Sequence, residues 1–543
     1  MKAITHFSLL ILTVILWSSA YAQTGGGGVS NEEVIVVKEY EASIQDAQKI
    51  TIAPSIPDIQ EKAPTFNYSI PTKDYKDFSF EANPLKPIGV SKEKSEKYNT
   101  SFMKFGFGSQ LTPLAQLAYN DNKAKNIKFG IFYNHLSARG FNIKNQHFSD
   151  DEVGAYFKYV PQKIELGTAF TFHNYRTHFY GIDTLVADTA VKAKDIRQVF
   201  RTYDAAIYLK NSQQNKLGIN YRQTIDFNYL QERFGKANEW FVFSNTSLDK
   251  IIAKQHGVSF DFNFDISRLK ADSTTLQRNI FRLMPGYFFD NDDWEVRGKV
   301  GLAIDGKKVF PLADVHVEKR LYQHSIIAFV GYQLKYEKNS LLSLLQANNF
   351  VRHTATIQNS SAGDFNVGVK GAVQKFDYNA SFHLHHIDNF LLFVNDTNDL
   401  RRFNTVYDKA IIYNVIIQGA YQVKEWLRFK VIGDYRFFEM KNQAKAWHEP
   451  NLKVTFGANY IWKNKISVGI DLYGITNTNA LLSNGEIRSI KGVADLNLNV
   501  EYLMNKKISF FGMLNNIAHQ RYQRWYNYPS FGINGLVGAK FSF

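Results

Sequence analysis

The chain has one cluster of histidines, His383, His385 and His386. On an extended strand alternate side chains share a face, so His383 and His385 offer two imidazoles side by side, a pair that zinc-type ions accept. Only Asp388 stands nearby to complete such a site, and it falls on the outer half of the same strand. The reading is polar lining with no metal. Ser, His and Asp occur throughout, but no spacing holds them together as a nucleophile set, and a triad is recognised by geometry rather than by order in the chain. Gly106-Phe107-Gly108 is a fragment of a phosphate-loop pattern placed in a strand, where it cradles nothing. No catalytic residue, cofactor or enzyme activity is expected. The absence of cysteine excludes disulfides, thiolate metal sites, a cysteine nucleophile and a lipidated N-terminal cysteine.

A different set of charged residues does follow a rule. Asp261, Asp265, Glu295, Arg297, Lys299, Asp471, Asp495 and Glu501 alternate with large apolar residues. In Val258-Ser259-Phe260-Asp261-Phe262-Asn263-Phe264-Asp265-Ile266 every second side chain is apolar, which gives a β-strand one greasy face and one wet face. The pattern recurs from about Ser101 to the C-terminus, and no long apolar helix follows the first 22 residues. A sheet of that extent, greasy on one face, needs a second layer or a lipid solvent. The fold class read from it is all-β: a transmembrane antiparallel β-barrel, apolar outside and polar inside. The eight charged residues are then candidate lumen lining, and oppositely charged neighbours on adjacent strands are expected to pair across the wall.

The bulk numbers agree. A mean hydropathy of −0.29 excludes a helical membrane protein. The 44 Phe and 30 Tyr suit a lipid-facing surface with interfacial girdles. The formal charge of +14 is scattered and forms no basic block, so nucleic acid is not expected as a partner; outer-membrane lipid is.

A spanning strand takes roughly 9–11 residues. Counting between turn signals gives 21 strands between residues 98 and 543; both ends must lie on one side, so Glu239–Asn245 is taken as one more. The total is about 22 strands, with 20 as the alternative. Tight connections should alternate with longer loops, near residues 137–150, 176–196, 268–277, 337–363, 395–406, 438–450, 476–489 and 518–530.

Residues 1–22 read as a secretory signal: Lys2, an apolar run from Phe7 to Trp17, and Ala20-Tyr21-Ala22 before the cut. Residues 23–97 follow as a flexible, Pro-rich periplasmic segment, with prolines at 54, 57, 64, 71, 84 and 87 that oppose helix and central strand. The barrel should occupy 98–543, in the outer membrane of a Gram-negative envelope, with the N-terminus periplasmic.

Two stretches resemble TonB-dependent receptors. Val34-Ile35-Val36-Val37, followed by Ser43-Ile44-Gln45-Asp46, is similar to the TonB box and the S-L-Q-D sequence after it. Asn515-Asn516-Ile517-Ala518-His519-Gln520-Arg521-Tyr522 resembles N-L-F-N-K-x-Y before the last loop, and Tyr528-Pro529-Ser530-Phe531-Gly532 resembles Y-P-x-P-G, with Phe531 in place of Pro. The closing Phe541-Ser542-Phe543 is similar to the signal read by the outer-membrane assembly machinery. The family's plug needs well over a hundred residues and only the 75 of 23–97 are available, so the resemblance is to a member with a missing or remnant plug, a type associated with the Bacteroidota. It implies solute binding or transport across the outer membrane, with the N-terminal segment as gate or docking arm. Val34–Val37 would meet a TonB-type coupling protein or another envelope subunit. The alternative is a scaffold subunit of an outer-membrane complex that transports nothing.

Overall fold

A computed structural model describes residues 100–121, 124–181, 191–213, 215–271, 274–322, 325–352 and 356–543. The expected signal peptide, the Pro-rich segment and Val34–Val37 lie outside the described residues.

The first strands are β1 (Ser101–Gly108), β2 (Thr112–Asp121), β3 (Ile127–Arg139), β4 (His147–Tyr159), β5 (Ile164–His178), β6 (Arg197–Asn211), β7 (Ile219–Glu232) and β8 (Asn238–Ala253). They continue as β9 (His256–Ala271), β10 (Thr274–Asp290), β11 (Trp294–Asp305), β12 (Lys308–Tyr322), β13 (Ile326–Glu337), β14 (Ser360–Val373), β15 (Phe376–Asn395) and β16 (Phe403–Lys424). The last are β17 (Leu427–Met440), β18 (Leu452–Trp462), β19 (Ile466–Ile475), β20 (Thr478–Leu481), β21 (Ile487–Ile490), β22 (Val493–Asn505), β23 (Ile508–Asn515), β24 (Gln523–Trp525), β25 (Tyr528–Pro529) and β26 (Asn534–Ser542). Two pairs, β20–β21 and β24–β25, are small hairpins in loops; the other 22 strands form one antiparallel sheet. β1 pairs with both β2 and β26, so the sheet closes on itself and keeps no free edge. The count of 22 agrees with the sequence reading, including the strand added at Glu239–Asn245, which lies within β8.

The period-two dressing explains the sheet. In β9, Val258, Phe260 and Phe262 are exposed, and their partners on β10, Tyr287, Pro285 and Leu283, share that face. Asp261, Asn263 and Asp265 point the other way, opposite Met284, Arg282 and Ile280. The outward row continues around the ring through Val300, Val367, Ile417, Leu472 and Val537. Beside the tight turns near the termini stand exposed Tyr159, Trp294, Tyr322, Trp426, Trp462 and Tyr502, an interfacial girdle. No helix among the described residues is long and apolar enough to cross a membrane.

The expected loop at 268–277 is not there: β9 runs to Ala271 and β10 begins at Thr274. The reason is burial. Leu269 and Ala271 continue the inward row and are buried in a core above the lumen, so pairing persists through residues whose polar neighbours suggest a turn. β1–β2 and β11–β12 are likewise joined tightly at this end, so short and long connections do not alternate strictly. The segment read as loop at 337–363 holds a short helix, Leu341–Ala347, started by a capping box between Ser340 and Ser343.

Candidate functional site

The inner wall is lined by charges that neutralise one another. Lys299 Nζ meets Asp261 at 2.5 Å, with Ser247 Oγ donating to the same carboxylate at 2.6 Å. Glu295 holds Arg297 at 2.6 Å and Arg320 at 3.3 Å. Glu318 takes Lys370 at 2.5 Å and His316 at 2.6 Å. Lys540 sits 3.0 Å from Glu501, which also accepts from Ser509 at 2.6 Å. Asp471 stands in register between Gly457 and Asn497, and Asp495 opposite Tyr473. All eight expected lining residues therefore share the face opposite the apolar belt. They are not equivalent, because Asp265 and Asp495 are buried.

Asp265 is buried by a lid. Residues 338–352 of the connection after β13 fold inward, and Lys338 forms an ion pair with Asp265. Arg278 donates to Asn339 O at 2.5 Å and to Asn359 Oδ1 at 2.8 Å, and lies 3.6 Å from buried Glu239. Glu239 in turn accepts from the Leu342 amide at 3.2 Å at the start of the short helix. Leu341, Leu344 and Leu345 of that helix are buried in the same core as Phe179, Phe350, Phe403, Trp525 and Tyr528.

Tyr528 is the centre of the lid and is fully buried. Its ring stacks on Phe350 with centroids 3.6 Å apart and meets the edge of Tyr180 at 4.9 Å. Its hydroxyl donates to the Arg401 carbonyl. Gly181 makes this approach possible, since a Cβ there would lie 2.7 Å from the Tyr528 ring. The Arg402 guanidinium lies over Phe179 at 5.6 Å and Phe234 at 5.0 Å. Val351 and Phe403 form a parallel bridge that ties two of these loops together.

These contacts cross the mouth. The β5–β6 loop carries Phe179 and the β15–β16 loop carries Arg402, and ten of the 22 strand positions separate them. With strands about 4.8 Å apart and tilted roughly 40°, the ring is about 45 Å wide. Side chains from nearly opposite points of such a ring touch only if both loops reach inward.

His448 is buried in the lid, with its ring 5.0 Å from Trp525 and 5.6 Å from Phe403. Nδ1 lies 3.1 Å from Phe393 O, and Nε2 accepts from the Tyr526 amide at 3.4 Å. This pairing fits a neutral ring protonated at Nδ1. Burial, reinforced by the charge of Arg524, pushes its pKa down to about 3.

The histidine cluster divides as the strand pattern requires. His383 and His385 point inward, opposite Asn366 and Asp364, and His386 points outward. The expected companion Asp388 is elsewhere, 3.6 Å from Lys409. Asp364, one strand over, lies 3.3 Å from His383 Nδ1 and 3.1 Å from His385 Nδ1. Sequence reading misses it because cross-strand neighbours are not neighbours in sequence. It also misses Tyr180, Phe350, Phe403, His448 and Trp525; the available signal is large aromatics in segments otherwise polar enough to be loops. From sequence, Tyr528 is legible only as the lead-in to the last strand. Of the closing residues, Phe541 faces outward beside Met103 and Ile508, and Phe543 is exposed at the chain end, bonded through its backbone to Ser101.

No protein-family model and no curated protein matches the sequence. Solved structures do resemble the fold. The FrpB iron transporter from Neisseria meningitidis superposes with a TM-score of 0.67 at 12% identity, over 83% of this chain and 82% of that one. The siderophore receptor PirA from Acinetobacter baumannii gives 0.66 at 8%, over 83% and 81%. The ferric-catecholate import receptor Fiu from E. coli K12 gives 0.64 at 10%, over 82% of each chain. At such identities the likeness is one of fold: this chain has the 22-stranded barrel architecture shared with these receptors.

Proposed function

We propose that this protein is an outer-membrane barrel that binds and passes a bulky solute, kept shut at one mouth by its own loops. The observation that carries the reading is the lid: loops from nearly opposite strands meet in one aromatic core over a lumen where several wall charges are paired. An open ring this wide would leak, so a gated passage needs such a cover, and opening it needs a trigger. The termini side of the barrel faces the periplasm and the lid faces outward. Residues 23–97 form the gate or docking arm on the periplasmic side, and Val34–Val37 pair with a TonB-type coupling protein by adding an edge strand. The fold shared with the iron and siderophore receptors supports import as the direction of traffic.

Conductance in planar bilayers tests this. Full-length protein should be nearly silent, and Tyr528→Ala combined with removal of residues 23–97 should conduct. Large steady conductance of the full-length protein would refute a closed lid. Equal conductance with and without residues 23–97 in the Tyr528→Ala background would refute a gating role for the arm. The cysteine-free sequence allows a clean test of docking: Val36→Cys should crosslink to a cysteine in the coupling protein's strand-forming region.

A second reading, a scaffold that transports nothing, is favoured by the buried ion pair of Lys338 with Asp265, an anchorage firmer than a mobile cover needs. It predicts stable co-purification with other envelope proteins and a lid that never opens.

A further inference from the structure

We infer that Asp364, His383 and His385 form a binding site for a divalent zinc-type cation on the lumen wall. The inference stands apart from the transport reading, because it concerns three side chains on two paired strands. Their ligand atoms all lie within 4.8 Å of one another, the one His/Cys/Asp/Glu trio among the described residues that does so. Asp364 lies directly opposite His385 in the β14–β15 register, and His383 is two residues along on the same face. The backbone thus fixes the three donors without help from a loop.

Two of the three donor separations are close to those of a tetrahedral metal site. Ligand atoms about 2.1 Å from a tetrahedral ion lie about 3.4 Å from each other. Here the carboxylate oxygens stand 3.3 Å from His383 Nδ1 and 3.1 Å from His385 Nδ1. Charge-assisted hydrogen bonds close to about 2.7–2.9 Å. Other imidazole–carboxylate pairs in this molecule are tighter still: His173–Asp150 at 2.5 Å, His135–Asp151 at 2.6 Å and His316–Glu318 at 2.6 Å. Asp364 is shared between the two rings, one carboxylate oxygen toward each. The rings lie parallel, 7° apart in plane and 5.6 Å between centroids, so both Nδ1 atoms face the same carboxylate.

The surroundings hold the donors in place as metal ligands require. Ser381 Oγ lies 3.0 Å from His383 Nε2, which holds the ring with Nδ1 toward the carboxylate. Asn366 Nδ2 donates to Asp364 Oδ2 at 3.1 Å. Asp364 and His383 are buried. The nearby Arg436 charge is taken up by Asp434 at 2.8 and 3.1 Å. Three protein donors, two nitrogen and one oxygen, is the number found where a fourth position is left to water or a solute atom. The mixed nitrogen and oxygen set suits zinc, cobalt or nickel better than calcium or magnesium.

The test is zinc binding by untagged, chelator-stripped full-length protein in detergent, followed by calorimetry and by metal content after dialysis. One zinc per chain is expected. Asp364→Asn, His383→Asn and His385→Asn should each weaken it at least about tenfold, and the H383N/H385N double variant should lose it, with the heat-modifiable gel mobility of the folded barrel unchanged. Absence of stoichiometric zinc in the wild type, or its survival in the folded double variant, would overturn the assignment. Should the variants not fold, the cobalt(II) spectrum of the wild type decides: nitrogen-ligated, four-coordinate cobalt supports the site, and only aqueous cobalt overturns it.

Discussion

Truncating Tyr528 to alanine should release the lid and leave the barrel standing. The side chain is fully buried, stacked on Phe350 at 3.6 Å and set against Tyr180 at 4.9 Å. Removing a large buried aromatic typically costs about 3–5 kcal/mol. Phe350 and Tyr180 both sit on loops, outside the barrel strands, so the cost falls on lid closure. Taking about 4 kcal/mol at about 1.4 kcal/mol per tenfold, the open fraction should rise roughly a thousandfold. Amide hydrogen exchange in detergent or nanodiscs reads this directly. Peptides covering Leu341–Ala347 and Gln523–Trp525 should exchange roughly a thousandfold faster, whereas β9 and β10 stay protected. Tyr528→Phe keeps the stack, loses the hydroxyl bond to Arg401 and should shift exchange only about tenfold. Gly181→Val, which drives a side chain into the Tyr528 ring, should reproduce the alanine result. A lid that speeds up less than tenfold in Tyr528→Ala, or a barrel that loses protection along with it, would refute the idea that this cluster holds the mouth shut.

Acid should loosen the same lid. His448 is neutral in the closed form with its pKa near 3, against an ordinary value of about 6.5, so its contribution is intact above pH 6.5 and drains away as pH falls toward 3. By pH 5 about 2 kcal/mol is lost, and lid exchange, corrected for its intrinsic pH dependence, should be roughly thirtyfold faster; a flat profile, or one retained in His448→Gln, would contradict this. Asp265→Ala strands the buried Lys338 ammonium and should destabilise the 338–359 connection by about 3–5 kcal/mol, seen as protease cleavage there in an otherwise intact barrel. Phe543→Ala should lower the fraction of protein found folded in the outer membrane without changing the melting temperature of the fraction that assembles, because Phe543 is exposed and its backbone bonds to the first strand survive the change.

Each strand announces itself. Phe260, Phe262 and Phe264 alternate with Asp261 and Asn263 whatever the neighbouring strand contains, and lipid on one side with water on the other reinforces that period along the whole wall. Counting turns then gives 22, and the rule that both ends share a side supplies β8. Strand ends are less legible at the lid. Ser267–Ala271 is polar enough to read as loop, yet Leu269 and Ala271 stay paired because a core lies above them. The short helix has a local start signal in Ser340 and Ser343, but the tie of its Leu342 amide to Glu239, 103 residues away, is not legible in sequence.

The amino-acid order alone determined that this chain makes a closed sheet with a greasy outside and a charged inside, because alternation is a local property that every strand carries for itself. Tertiary structure alone decided what the inside does. Tyr528 meets Phe350, Phe403 and Tyr180, and Asp364 meets His383 and His385, only because ring closure and register bring together residues that no spacing rule relates. A lid and a ligand cluster are contacts between separate elements, and each contact exists only once the barrel has fixed where those elements stand.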